Sequence, residues 1–257
     1  MAASIDLEMT SHRVLLEGLP TGVCVRAAQL SDLHWHGAST EPPIAAAIQH
    51  AMGCRPDVVL LTGDFIRDRV RDLSRLARLV AELHAPLGVF AVMGNHDYSL
   101  RRGEVAAAIG DVGVRVLHDT SVALPVGLRI AGVDDLLYGE QDLSAALAET
   151  GDGMPTVMLA HNPNNALVTP SGRVDVILSG HTHGGQMRFP GISPAWICRV
   201  HVRTQFVHGW YTVGGVRMYV NRGIGAVGEP FAFRYRCPSE VSVFDFHGPE
   251  PLTDGVA

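Results

Sequence analysis

Short apolar, β-branched runs recur along the chain. Five of them end directly on a polar block: SDLHWHG, TGDF, GNHD, HNPN and GHTHGGQ, in that order. A brief, unbroken apolar run reads as a strand buried on both faces, as strands are when helices cover a parallel sheet. The loop leaving the carboxyl end of such a strand is where ligands sit in open α/β sheets. The fold must therefore carry the five blocks to one edge, bringing together Asp32, His34, Asp64, Asn95, His161, His181 and His183.

These side chains offer oxygen and neutral imidazole nitrogen with no thiolate. That donor set suits Mn, Fe or Zn, and suits Mg less well. Seven donors are too many for one tetrahedral ion, whereas one bridging carboxylate with three further ligands on each side makes two four-ligand half-sites. Two divalent cations so held are a device for in-line displacement at phosphorus. On an extended segment, the H-T-H spacing is expected to point both imidazoles to one side, letting neighbouring ions share a loop. Ordinary turn chemistry accounts for any one block, with Asp64 in an Asx-turn or Asn95 in a left-handed turn, but not for so many histidines in this order.

Strands are expected near Val23–Leu30, Val58–Thr62, Gly88–Met93, Leu128–Val133, Thr156–Ala160 and Val174–Ser179, with a last strand over Val241–Phe246. Helical periodicity falls over Pro43–Met52, Val70–His84, Glu104–Ile109 and Gln141–Glu149. A hairpin is expected around Gly214-Gly215, and the Pro/Gly stretch Phe189–Pro194 reads as a loop insertion near the site. Strands alternating with helices argue an α/β fold. With 257 residues, 47% of them hydrophobic, and no internal boundary, a single domain is expected over 23–247. Residues 1–22 read as an extension or first strand, and 248–257 as a tail.

The blocks D-x-H, G-D, G-N-H-D, H-N-P and G-H-T-H together resemble the signature of the calcineurin-like metallophosphoesterases. The stretches IAGVDD, GHTHGGQMRFP, VNRGIG and PFAFRYRCPSEVSVFDF further resemble the bacterial YkuE/YaeI-type phosphodiesterase branch. The resemblance implies a four-layer α/β/β/α sandwich of two mixed sheets flanked by helices. It implies one ion on Asp32, His34, Asp64 and His183, and a second on Asp64, Asn95, His161 and His181. The activity implied is hydrolysis of a phosphate ester, most readily a diester, by in-line attack of a hydroxide bridging the two ions, with His96 assisting the leaving oxygen. Alternatives are a UDP-2,3-diacylglucosamine-type pyrophosphatase or lipid phosphoesterase, and a metal-binding scaffold without catalysis.

Around this set, Asp97 reads either as orienting His96 or as capping the helix that begins there. His36 and Arg67 are candidate phosphate contacts, as is Arg222, with Arg234 and Arg236 beside it in the tail. Trp196, Trp210, Phe231 and Phe233 read as core or as contacts for a ring-bearing substituent. The expected partner is a small phosphoester, lipid- or nucleotide-linked in some readings, and the net charge of −6 argues against stable nucleic-acid binding. The four cysteines form no C-x-x-C pair and suit reduced thiols. With no signal-like or membrane-spanning segment apparent, the expected location is cytoplasmic, with peripheral membrane association compatible.

Overall fold

The structure is a computed structural model that describes residues 6–67, 72–98, 102–227 and 233–251. The first half of the chain runs through β1 (Leu7–Leu15), β2 (Cys24–Leu30), α1 (Glu41–Gly53), β3 (Val58–Thr62), α2 (Leu73–Val80), β4 (Val89–Val92), α3 (Asn95–Tyr98), α4 (Arg102–Gly110) and β5 (Arg115–Val116). The second half continues through β6 (Thr120–Leu124), β7 (Leu128–Gly132), α5 (Leu143–Ala146), β8 (Thr156–Leu159), β9 (Val176–Ser179), α6 (Pro194–His201), β10 (Gly209–Val213), β11 (Val216–Val220) and β12 (Ser239–His247). Two six-stranded sheets result, ordered β1-β12-β2-β3-β4-β5 and β10-β11-β9-β8-β7-β6. Both are mixed. In the first, β2 to β5 run parallel and β12 is antiparallel to β2; in the second, β7, β8, β9 and β11 run parallel between antiparallel edges.

The two-residue period of β3 explains the layering. Val58 and Leu60 enter the core between the sheets, with Ile130, Val157, Leu159 and Leu178 of the second sheet. Val59 and Leu61 face the opposite way, against Ile44 and Ile48 of α1 and Leu76 and Val80 of α2. The outer face of the second sheet packs Met158, Ile177 and Met218 with Ala146 of α5 and Phe206. Every β3 residue is thus buried on one face or the other, which is why the strand is a continuous apolar run. Truncating Leu60 to Ala would cost about 2–5 kcal/mol.

The differences from the sequence reading have local causes. Residues Leu7–Leu15 form an edge strand paired in parallel with β12, and their polar alternation reflects an exposed edge. The helix expected from Val70 begins at Leu73, where Asp72 caps it by accepting from the Ser74 amide at 2.9 Å; residues 68–71 lie outside the described residues. The expected helix over Gln141–Glu149 shrinks to four residues behind its cap, Asp142. The Phe189–Pro194 stretch leads straight into α6, which Pro194 opens from its first turn. Phe231 and the end of the expected tail, 252–257, fall outside the described residues.

Candidate metal centre

The first donor of each candidate block lies two or three residues past the end of β2, β3, β4, β8 or β9. Their loops are knitted together by backbone bonds: Asp32 N donates to Gly63 O at 2.9 Å, His34 N to Asp64 O at 3.0 Å, and Gly180 N to His161 O at 3.1 Å. Asp32, His34, Asp64, His181 and His183 all have left-handed backbones, with φ of 51°, 46°, 56°, 73° and 51°. Side chains other than glycine pay on the order of 1 kcal/mol for that region. Its concentration here marks loops whose geometry is set by where the side chains must point. It also corrects the expectation for H-T-H, because the segment is not extended. Alternating left- and right-handed residues send His181 and His183 into different groups.

Two glycines permit the close approach. A methyl on Gly180 would lie 1.9 Å from Ser31 Oγ and 2.3 Å from Asp32 Oδ2, and one on Gly94 would lie 2.2 Å from Asp64 Oδ1.

The donors fall into two groups that share one atom. In the first, His34 Nε2 lies 3.0 Å from His183 Nε2, 3.7 Å from Asp32 Oδ1 and 3.5 Å from Asp64 Oδ2. In the second, His161 Nε2 lies 3.2 Å from the same Asp64 Oδ2, 3.1 Å from Asn95 Oδ1 and 3.2 Å from His181 Nδ1. Asp64 Oδ2 therefore stands between the groups, while its Oδ1 accepts the His96 amide at 2.8 Å. His161 donates Nδ1–H to the Thr62 carbonyl at 2.7 Å, which turns its Nε2 inward.

Electrostatics point the same way. Burial opposes ionisation of Asp32 and Asp64, but the surrounding histidines hold both well below the usual carboxylate range. Burial alone would lower His161, yet Asp64, with Asp32 and Asp135 behind it, pushes the ring up to about 10. His181 is pushed down to about 4 by burial and by His161, and burial also lowers His183. Imidazole nitrogens crowded within about 3 Å of one another around two dry carboxylates that call for positive charge are what divalent cations relieve. The residues present fit such ions, and each group could hold one.

The remaining candidates divide. His96 lines a cavity of about 260 Å³ together with Asp64, Asn95, His181 and His183; its ring sits edge-on to His34 with centroids 4.8 Å apart. Its Nδ1 donates to the Arg67 carbonyl, so the orienting partner is a backbone oxygen and not Asp97. Asp97 accepts from Gly94 N at 2.9 Å and Ile66 N at 3.1 Å, capping α3 and clasping two ligand loops. Burial, then Asp64, pushes its carboxyl up to about 8. Arg67 is buried at the site through its backbone. His36 is exposed, at the approach to α1.

Arg222 does not join the donors. Its Nε pairs with Glu240 and a terminal nitrogen with Glu8, both at 2.9 Å, inside the fold. Arg234 is likewise occupied, donating to the carbonyls of Arg222 and Gly225. Trp196 and Phe233 are exposed rather than core, and the partly exposed Trp210 packs edge-on against His12 and Tyr219 at the far sheet edge. Residues outside the sequence reading complete the cavity: Met187, Cys198, Val202 and Val227 form an apolar wall. Two of them, Cys198 and Val202, belong to or flank α6, the helix that the sequence pattern concealed.

Residues 25–185 match the family model of the calcineurin-like phosphoesterases. The chain belongs to that family. It is 30% identical to YkuE, a metallophosphoesterase of Bacillus subtilis, over 93% of this chain and 85% of that protein. It is 24% identical to LpxG of Chlamydia trachomatis, a UDP-2,3-diacylglucosamine pyrophosphatase, over 78% of each. Among solved structures, TT1561 of Thermus thermophilus shares the fold, with a TM-score of 0.54 at 15% identity over 79% of this chain and 91% of that one. The calcineurin-like chain is accordingly a phosphoric ester hydrolase of a family that binds divalent metals.

Proposed function

We propose that the protein is a phosphodiesterase working with two divalent cations, held as the resemblance implies: Asp32, His34, Asp64 and His183 around one, and Asp64, Asn95, His161 and His181 around the other. Such ions, when bound, polarise phosphoryl oxygens and lower the pKa of water. To His96 we assign the leaving oxygen: it lines the cavity beside the donors, and with its Nδ1–H anchored on the Arg67 carbonyl, Nε2 is the nitrogen that would pass the proton. Asp97 keeps the Asp64 and Asn95 loops in register from behind.

The preference for a diester rests on one observation. The cavity runs from the donor cluster to an apolar wall of Met187, Cys198, Val202 and Val227, and Arg203 lines the adjoining hollow on its Asn95 and His96 side. A diester brings a second substituent to fill that wall, which a monoester lacks. Oxygen and imidazole donors favour Mn, Fe or Zn. The four cysteines, all free thiols, fit a reducing compartment such as the cytoplasm. Among the described residues, no helix is long and apolar enough to cross a membrane.

The test is hydrolysis of a bis-aryl phosphodiester and of the matching aryl monoester by manganese-loaded protein, with His96→Ala alongside. The diester should turn over faster. His96→Ala should keep its metal and lose about 10²–10⁴-fold in turnover. Full activity in that variant removes His96 from the chemistry, and a monoester preference overturns the substrate reading. Pyrophosphate cleavage in a nucleotide-linked lipid is the second reading, favoured by the LpxG relationship and the apolar wall; release of a nucleoside monophosphate from such a substrate would establish it.

A further inference from the structure

The two faces of α6 do different work. Cys198 and Val202, four residues apart, look into the cavity, while Trp196 lies on the opposite side and Arg199 on the flank between, both exposed. The segments that lead into α6 and pair with its approach carry further large apolar side chains that the fold leaves uncovered: Phe189, Ile192, Phe233 and Tyr235. With Trp196 they are between 41% and 60% exposed. Contacts join the two segments that carry them. Phe189 stacks on Tyr235 with centroids 5.3 Å apart, and the segments carrying them pair through Arg188 N to Tyr235 O at 2.9 Å and Tyr235 N to Gln186 O at 3.0 Å. Exposed apolar clusters of this kind mark interaction sites.

Charge identifies the occupant. Between Asp175 and Glu229 the chain carries no acidic residue, although the whole protein has a net charge of −6. The same stretch carries Arg188, Arg199 and Arg203, and Arg236 follows with its guanidinium 5.9 Å from the Tyr235 ring centroid. Arg199, Arg203 and Arg236 are exposed. Aromatic rings with polar edges, interleaved with arginine and cleared of carboxylates, match the boundary between headgroups and acyl chains of an anionic bilayer.

The geometry points to a membrane-docking face beside the cleft: the outer side of α6, the loop before it and the Phe233–Arg236 segment rest on an anionic lipid surface. This face stands independently of the chemistry proposed above. Its consequence, that a membrane-borne phosphoester reaches the cavity past α6, rests on that reading.

The experiment is co-sedimentation of the full chain with vesicles of phosphatidylcholine alone or with phosphatidylglycerol added, at low and physiological salt, with and without manganese. Because binding is read and not turnover, failure here is separate from failure of the hydrolase reading. The protein should bind the phosphatidylglycerol vesicles, more weakly at higher salt. Phe189→Ala with Trp196→Ala should weaken binding about tenfold or more, and Arg199→Ala with Arg236→Ala roughly fivefold per arginine. Unchanged far-ultraviolet dichroism and melting temperature show that the variants are folded, as expected for exposed positions. Absence of binding, equal binding to both vesicle types, or variants that bind like the parent would overturn the proposal. So would a lipid-free dimer that Trp196→Ala splits into monomers, because the face would then belong to a second copy of this chain.

Discussion

Replacing Gly94 by alanine probes the contact on which convergence of the donors depends. The added methyl would lie 2.2 Å from Asp64 Oδ1, 2.5 Å from Asp64 N and 2.8 Å from Asp64 Cγ. A carbon–oxygen contact needs roughly 3.3 Å, so about 1 Å of movement must be found. Neither side gives easily: Gly94 N is held by Asp97 at 2.9 Å, and Asp64 Oδ1 holds the His96 amide at 2.8 Å. The overpacking should cost about 1–3 kcal/mol of stability. Function should suffer more, because a site of this kind tolerates only about 0.5 Å of displacement and a 1 Å misplacement costs about 100-fold in rate. Gly103→Ala in α4 is the control, since nothing lies within 4 Å of its methyl and its φ is ordinary. That variant should be neutral or stabler by up to about 1 kcal/mol. The assays are thermal unfolding, metal content after dialysis against manganese, and turnover on the diester. A folded Gly94→Ala protein with parental metal content and turnover would refute the claim that the Asp64 and Asn95 loops must touch.

The other expectations concern protons. His161, held up to about 10 in the metal-free protein, is an imidazolium at pH 7, so a cation must displace its proton. Calorimetric metal titrations in buffers of different ionisation enthalpy should show about one proton released at pH 7 and apparent affinity rising with pH; no proton release would contradict the assignment. Away from the site, Asp152 pairs in bidentate fashion with Arg129 at 2.9 and 3.0 Å, and that hydrogen-bonded partner lowers its pKa from 3.8 to about 2. A depressed carboxylate stabilises the fold above its unfolded pKa and loses that contribution as pH falls through the folded value. The stability gap between the parent and Asp152→Asn should therefore be present at pH 6 and close between pH 4 and 2; a gap that persists at pH 2 refutes the pairing.

What was legible in the sequence follows burial. β3, β4, β8 and β9 are enclosed on both faces, so their apolar runs and the donor blocks at their ends could be found without coordinates. β1 was equivocal because its register with β12 rests on hydrogen bonds between distant segments and its side chains are mostly polar. α6 was hidden by the Pro/Gly stretch before it, and with it the apolar wall of the cavity. The fate of Arg222 depended on Glu8 and Glu240, carboxylates on strands at opposite ends of the chain. The partner of His96 was a backbone carbonyl, a group that every residue carries and that no motif can announce.

Anomalous diffraction at the manganese edge from crystals of the manganese-loaded protein addresses the central claim most directly. Two peaks roughly 3.5–4 Å apart, with the Asp64 carboxylate between them and the other six donors divided three and three, is the predicted result. A single peak, or two that Asp64 does not join, would contradict the account.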